Sequence, residues 1–324
     1  MEIENIVAQA KEDITNFRKQ HPDWIVIIRW ATATGKSKLS VLLSEFFDVE
    51  IISADSRQIF KYMNIGTDKV SAEIRQKIPH HLIDIVNPDE RYTAGQRQND
   101  TKRIVKEILS RGKLPMIVGG TGLYIDTIYK NFTMPSAKPN PKLRAKLYEQ
   151  EEKEPGFLHK ELAKIDPQEA QKIHYKSTRY LVRALEIFHT TGGRKSETFI
   201  QQDVDQPILM IGLWRDKEET NKRINTRVKQ MLQEGLIDEV KWLLAKWYTS
   251  DLQSMQGIGY KETVEYIEGD SPARLGKYDL EKLEENLKKA THHLAKKQRS
   301  RFRRYIAEWK ATPKKNVTYK VFEL

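Results

Sequence analysis

Three short segments carry side chains suited to chemistry. The first is Gly35-Lys36-Ser37, a glycine turn that follows an apolar run and opens a helical one. Backbone N–H groups at such a turn attract anionic oxygens, Lys36 adds a mobile cation, and the Ser37 hydroxyl is a ligand type for magnesium. Alone, the tripeptide reads equally well as a plain helix start. A full phosphate loop would carry glycine where this chain has Trp30, and an indole there is expected to crowd a tight turn. The second segment, Ser53-Ala54-Asp55-Ser56-Arg57-Gln58, places Asp55 for acid-base work or for a cap. The third, Gly119-Gly120-Thr121-Gly122-Leu123-Tyr124, offers little side-chain bulk and one hydroxyl beside the phosphates. An ordinary nucleotide hydrolase usually ends that strand in an acid; glycine ends it here, which favours chemistry with phosphate as a leaving group.

These segments need a frame that brings them to one edge. Residues 24–29, 49–53, 114–118 and 207–213 read as buried strands, and helical patterns cover 38–47, 101–109, 223–232, 236–247 and 281–310. Strands alternating with helices imply a parallel sheet, whose C-terminal edge collects ligands. Three prolines between Met134 and Pro141 mark a boundary, and residues 142–189 are helix-rich. Ile3, Ile6, Val7, Ala10, Ile14 and Phe17 recur at helical spacing, so residues 1–20 form an amphipathic helix rather than a signal peptide. The expected organisation is that helix, a core from 21–134 and 206–324, and an insertion over 135–205. His80 and His81 point to opposite faces of extended chain, which suits structural hydrogen bonds better than a shared metal.

Composition narrows the partner. The 324 residues carry a net charge of +11 and no cysteine, which excludes disulfides and thiolate zinc sites and suits a reducing cytoplasm. No apolar run approaches membrane-spanning length. Residues 288–324 hold 12 Lys and Arg against 2 acids, a local excess of +10, whereas 1–134 and 135–205 are each near neutral at +2. Such clustering is either a solvated helix face or a footprint for a phosphate backbone.

In sequence order, Ile51 to Phe60, Met63-Asn64-Ile65-Gly66-Thr67, Pro79 to Asp84, Val118 to Tyr124, Arg183-Ala184-Leu185-Glu186, Arg223 to Val228, Ile258-Gly259-Tyr260-Lys261-Glu262 and Ala295-Lys296-Lys297-Gln298 resemble the tRNA dimethylallyltransferase (tRNA isopentenyltransferase) family. The resemblance spans roughly residues 24–304. It implies an α/β fold with a P-loop NTPase-like parallel sheet core, a helical insertion domain that grips the anticodon stem-loop, and a helical C-terminal region.

The resemblance further implies transfer of a dimethylallyl group from dimethylallyl diphosphate to N6 of the adenosine 3′ to the anticodon, with Mg2+. Catalysis then falls to Asp55, Thr32 and Thr121. Diphosphate binding falls to Ala31, Thr32, Ala33, Thr34, Gly35, Lys36, Ser37 and Arg223, with Ser37 on the metal. Contacts to tRNA fall to Asp55, Ser56, Arg57, Gln58, Thr121, Arg179, Tyr180, Leu181, Val182, Arg183, Lys296, Lys297 and Arg299. A cytoplasmic monomer off the membrane is expected. The chain departs from the family pattern in four places: Trp30-Ala31 replaces Gly-Pro, Lys176-Ser177 replaces Asn-Asp, Tyr180 replaces Arg, and Ser300-Arg301 replaces Thr-Trp. A non-catalytic RNA-binding relative and a small-molecule kinase or adenylate prenyltransferase are the alternatives.

Overall fold

The computed structural model describes residues 3–135, 137–198, 200, 202, 204–269, 279–313 and 316–324. The first stretch runs α1 (Ile3–Gln20), β1 (Ile25–Arg29), α2 (Lys36–Leu43), β2 (Val49–Ser53), α3 (Ala72–Lys77), β3 (His80–His81), α4 (Ala94–Ser110), β4 (Leu114–Gly119) and α5 (Gly122–Tyr129). Helices follow as α6 (Pro141–Lys153), α7 (Phe157–Ile165), α8 (Pro167–Lys172), α9 (Thr178–Thr191) and α10 (Lys195–Thr198). The chain then returns through β5 (Ile208–Trp214), α11 (Lys217–Gln233), α12 (Leu236–Ala245), α13 (Tyr260–Gly269), α14 (Leu280–Ala311) and β6 (Val317–Glu323). Two compact units result: Met1–Ile125 with Asp205–Leu324, and Asp126–Val204.

The first unit is built on a parallel sheet in the order β3-β2-β4-β1-β5-β6. Strands β1, β2 and β4 are buried along their whole length, as expected for apolar runs covered on both faces. Their register positions the site. Val118 near the end of β4 is level with Ile28 of β1 on one side and with Ser53 of β2 on the other. The three loops that follow these strands therefore leave the sheet side by side at its C-terminal edge, where a right-handed βαβ fold gathers ligands.

Helix α1 buries Ile6, Val7, Ala10, Ile14 and Phe17, the stripe legible in its spacing, against the sheet core. The last strand was not anticipated: the basic helix gives way to β6, which pairs with β5 over seven residues. Its buried positions, Val317, Tyr319 and Phe322, do not keep a period of two, and the preceding cations obscured the strand further. His80 Nδ1 bonds the Ile78 carbonyl oxygen at 2.7 Å, and His81 Nε2 meets the Glu50 carboxylate at 2.7 Å, so each has a structural partner.

The second unit packs Leu147, Leu158, Leu162, Ile173, Leu181, Val182 and Leu185 into a core of its own. Beneath it Glu186 is fully buried, accepting from both Arg144 Nε and Nη2 at 2.7 Å, from the Asn140 N–H at 2.7 Å and from Arg183 Nη1 at 2.6 Å. Burial alone would raise this carboxyl. The donors outweigh it and hold the group at about 2.

Candidate active site

The loop after β1 is fixed by unusual backbone and by its own carbonyls. Ala33 and Gly35 both take positive φ, 61° and 99°. Trp30 does not, so glycine is not required there by backbone conformation. Its indole leaves the turn altogether. It is fully buried, stacked on Phe302 with ring centroids 5.1 Å apart and edge-on to Trp214 at 5.6 Å. Space for it comes from Gly212 of β5, where a Cβ would lie 3.0 Å from the indole. The expected crowding of the turn is therefore absent.

Around this loop four side chains converge. Lys36 Nζ donates to the Ala31 carbonyl at 2.6 Å, and Arg223 Nε donates to the Ala33 carbonyl at 3.0 Å. Arg227 Nη1 donates to Thr32 Oγ1 at 3.0 Å and pairs with Asp68 at 3.2 Å. Gln298 of α14 spans two loops: its Oε1 accepts the Thr32 N–H at 2.9 Å and its Nε2 donates to the Gly120 carbonyl at 3.1 Å. Burial lowers the Lys36 ammonium to about 8, with Asp55 acting against that fall and Arg227 adding to it.

Asp55 Oδ1 accepts the Arg57 N–H at 2.7 Å, a local turn that aims the carboxylate beside Lys36. Thr121 Oγ1 accepts the Ser56 N–H at 3.1 Å, tying the β2 and β4 loops together. The glycines of the third segment serve packing more than open space. A Cβ at Gly119 would lie 2.4 Å from the Ala54 backbone, at Gly120 2.7 Å from Gln298, and at Gly122 2.6 Å from Arg301. Below Asp55, Arg97 is buried over the Tyr124 ring at 5.0 Å, and burial lowers it to about 10.

Together these parts line one pocket of about 650 Å³. Its polar wall holds Thr32, Ala33, Gly35, Lys36, Ser37, Asp55, Ser56, Arg57, Gln58, Thr121, Arg223 and Lys297; its apolar wall holds Val228, Met231, Leu287 and Leu294 from helices α11 and α14, with Ile258 from the turn before α13. Ala31 and Thr34 belong to the same loop but are buried beneath it. Gln58 spends its amide internally, accepting from Ser53 Oγ and donating to the Thr67 and Asp68 carbonyls, and Arg57 donates to the Gln253 carbonyl at 2.6 Å. Among the described residues no group of three His, Cys, Asp or Glu is placed to hold a metal. The donor set here is instead one exposed hydroxyl at a helix start, Ser37, which fits a hard cation that keeps water and takes its remaining oxygens from a phosphate.

Other expected contacts fall elsewhere. Arg179 and Tyr180 are exposed on α9, but Leu181 and Val182 are core of the second unit and present no side chain to a partner. Arg183 is committed to Glu186 and to the Ala137 carbonyl. Lys296 and Lys297 are exposed on α14, whereas Arg299 is buried near Asp216, its Nη1 without a hydrogen-bond partner, and is no surface grip. Arg227 and Gln298 were the residues not singled out. The i, i+4 spacing from Arg223 pointed to Arg227, while nothing in a run of cations marked Gln298 as the inward one.

The sequence profile described as IPP transferase matches residues 58–305. The chain is 43% identical over 281 residues to the tRNA dimethylallyltransferase of Thermotoga neapolitana, covering 87% of this chain and 90% of that one. It is 41% identical to the enzyme of the same name from Pelotomaculum thermopropionicum, with 87% and 88% covered. Among solved structures, it resembles the full-length tRNA isopentenylpyrophosphate transferase of Bacillus halodurans with a TM-score of 0.64 at 36% identity, covering 93% and 90%. It resembles a eukaryotic dimethylallyltransferase acting on tRNA with a TM-score of 0.76 at 28% identity, covering 92% and 74%. With its P-loop NTPase-like sheet and this breadth of match, the chain belongs to the IPP transferase family.

Proposed function

We propose that this chain transfers a dimethylallyl group from dimethylallyl diphosphate to N6 of the adenosine 3′ to the anticodon of a tRNA. The observation that carries this reading is the two-sided pocket: a cationic phosphate loop faces Asp55 on one side and an apolar helical wall on the other. A diphosphate suits Lys36, Arg223 and the loop N–H groups, and a branched five-carbon tail suits Val228, Met231, Leu287 and Leu294. A nucleotide kinase would have no use for that apolar wall beside its transferred phosphate.

In the reaction the carbon–oxygen bond between the allylic carbon and the diphosphate breaks, and a bond forms from N6 to that carbon. The electron pair leaves with the diphosphate, where Lys36 and Arg223 meet the developing charge. The proton shed by N6 passes to the Asp55 carboxylate. Because an amine conjugated with a purine is a weak nucleophile, alignment matters more than base strength, and Thr32 and Thr121 hold the reacting groups in place. Ser37 would hold a magnesium ion, which supplies further charge neutralisation for the leaving diphosphate. Gln298 keeps the β1 and β4 loops in register throughout.

The target base has to leave its stack to enter such a pocket, so grips on the RNA outside it are required. Lys296 and Lys297 on α14, and Arg179 and Tyr180 on the helical unit, are the exposed candidates. No helix among the described residues is long and apolar enough to cross a membrane, and the cysteine-free composition supports a cytoplasmic setting. Incubation with dimethylallyl diphosphate, magnesium and an anticodon stem-loop, followed by mass spectrometry of the digested RNA, tests the reading. Prenylated adenosine is expected; RNA binding without turnover would support the non-catalytic alternative instead.

A further inference from the structure

We propose that Glu239 is a positioning residue for the diphosphate end of the pocket: it shapes the turn of residues 64–68, whose Asp68 holds the Arg227 guanidinium against the phosphate loop. This rests on the diphosphate reading above and adds to it a residue that lies outside the pocket lining.

Two of the ordered motifs, Met63 to Thr67 and Ile258 to Glu262, carry none of the reacting groups, yet one carboxylate joins them. Glu239, half-buried on α12, accepts the Asn64 and Ile65 N–H groups on Oε2, both at 2.9 Å, and the Gly66 N–H on Oε1 at 3.3 Å. The Tyr260 hydroxyl donates to the same Oε1 at 2.6 Å. Three consecutive backbone donors on one anion curl the chain around it. The fit is close, because a Cβ at Gly66 would lie 2.5 Å from the Tyr260 ring. Tyr260 is fully buried, and burial together with the Glu239 charge raises its hydroxyl well above its ordinary value, so it stays a donor.

The curl delivers its far end to the pocket. The Asp68 N–H closes on the Ile65 carbonyl at 3.1 Å, Asp68 takes a positive φ of 53°, and Gln58 Nε2 holds the Thr67 and Asp68 carbonyls. Gly66, Thr67 and Asp68 line the pocket, as does Arg227. Arg227 Nη1 is shared between Asp68, at 3.2 Å, and Thr32 Oγ1, at 3.0 Å, while its Nε is buried without a hydrogen-bond partner. The guanidinium lies close enough to Lys36 to depress that ammonium, so it belongs to the cations a diphosphate meets. Left to itself, it would swing away from that like charge. Asp68 prevents this, and Glu239 fixes Asp68.

Affinity for dimethylallyl diphosphate with magnesium, measured by calorimetry, tests the relay. Glu239→Gln sets an amide nitrogen against backbone donors and should weaken that affinity by about tenfold, with affinity for an anticodon stem-loop unchanged. Tyr260→Phe removes one donor and should weaken it by about threefold; it carries the test if Glu239→Gln does not fold. In an Arg227→Met background neither change should cost more than about twofold, because the residue through which both act is gone. In turnover, the donor KM should rise in step while kcat stays within about twofold, as for a loss of uniform binding. Undiminished affinity in both variants, losses that multiply with that of Arg227→Met, or a fall confined to kcat overturns the relay. A parent chain that binds the diphosphate without transferring its prenyl group removes the prenyl-transfer reading and leaves the affinities to decide the relay. A parent that binds no diphosphate overturns both.

Discussion

Helix α14 and the segment 172–183 are both dense in cations, yet the two regions use them in opposite ways. On α14 most are engaged by the protein itself: Lys288 and Lys289 pair with Glu284 and Glu285 one turn earlier, Arg299 is buried, Arg301 donates to the Tyr305 hydroxyl, and Arg303 covers the Trp214 ring. The helix that carries the chain's excess charge is also a wall of the 650 Å³ pocket, through Leu287, Leu294, Lys297 and Gln298. In the helical unit, a shorter and less charged segment leaves Lys176 and Arg179 uncommitted beside exposed rings. Net charge therefore does not tell which region leaves its cations without acidic partners.

The largest expected effect separates chemistry from both regions. Asp55→Ala should lower turnover by about 10²-fold or more while RNA affinity changes little; equal losses in turnover and RNA binding would show that Asp55 grips rather than reacts. Next comes Glu186→Gln, which leaves Arg144 and Arg183 without their buried carboxylate. It should destabilise the helical unit by about 3–5 kcal/mol, measured by denaturation, and spare donor binding. The same carboxyl gives an acid signature. Its folded value lies below its ordinary one, so its stabilisation is full above about 4.5 and fades as pH falls towards about 2.

Two neighbours on α14 sharpen the contrast further. Gln298→Ala should reduce donor use by about tenfold, the order of one or two lost hydrogen bonds, without changing RNA affinity. Lys296→Ala, outside the pocket lining, should do chiefly the reverse. The smallest effect is titration of Lys36. Lowered to about 8, it is charged below that value, so diphosphate affinity should be flat at acidic and neutral pH and weaken above it. Bound diphosphate stabilises the charged form and moves the inflection upward. Affinity that rises with pH through this range would contradict Lys36 as the diphosphate cation.

Much of this was legible in the chain. Apolar runs marked β1, β2, β4 and β5, and their tails named the pocket's polar wall. What was hidden was direction around a helix. Leu181 and Val182 lie within a motif yet face a core, and Arg299 lies within a basic run yet faces inward, because contact order in sequence does not report which side a neighbouring element occupies. The glycines at 119, 120 and 122 read as room beside the phosphates, yet Ala54, Gln298 and Arg301, distant in sequence, fill those spaces. Strand β6 stayed hidden because its buried positions 317, 319 and 322 break the period of two and follow a highly charged helix.

Trp30 constrains how this sequence can change. Indole, the bare Gly212 and the Phe302 ring are fitted to one another, so position 30 is free to vary only in company. Reverting Trp30→Gly alone would leave an indole-sized hole above the sheet, a loss of about 3–5 kcal/mol by the usual toll of emptied aromatic sites. With glycine at 30, however, position 212 would gain room for a side chain. Positions 30, 212 and 302 are thus coupled, and the cost of changing one depends on what occupies the others.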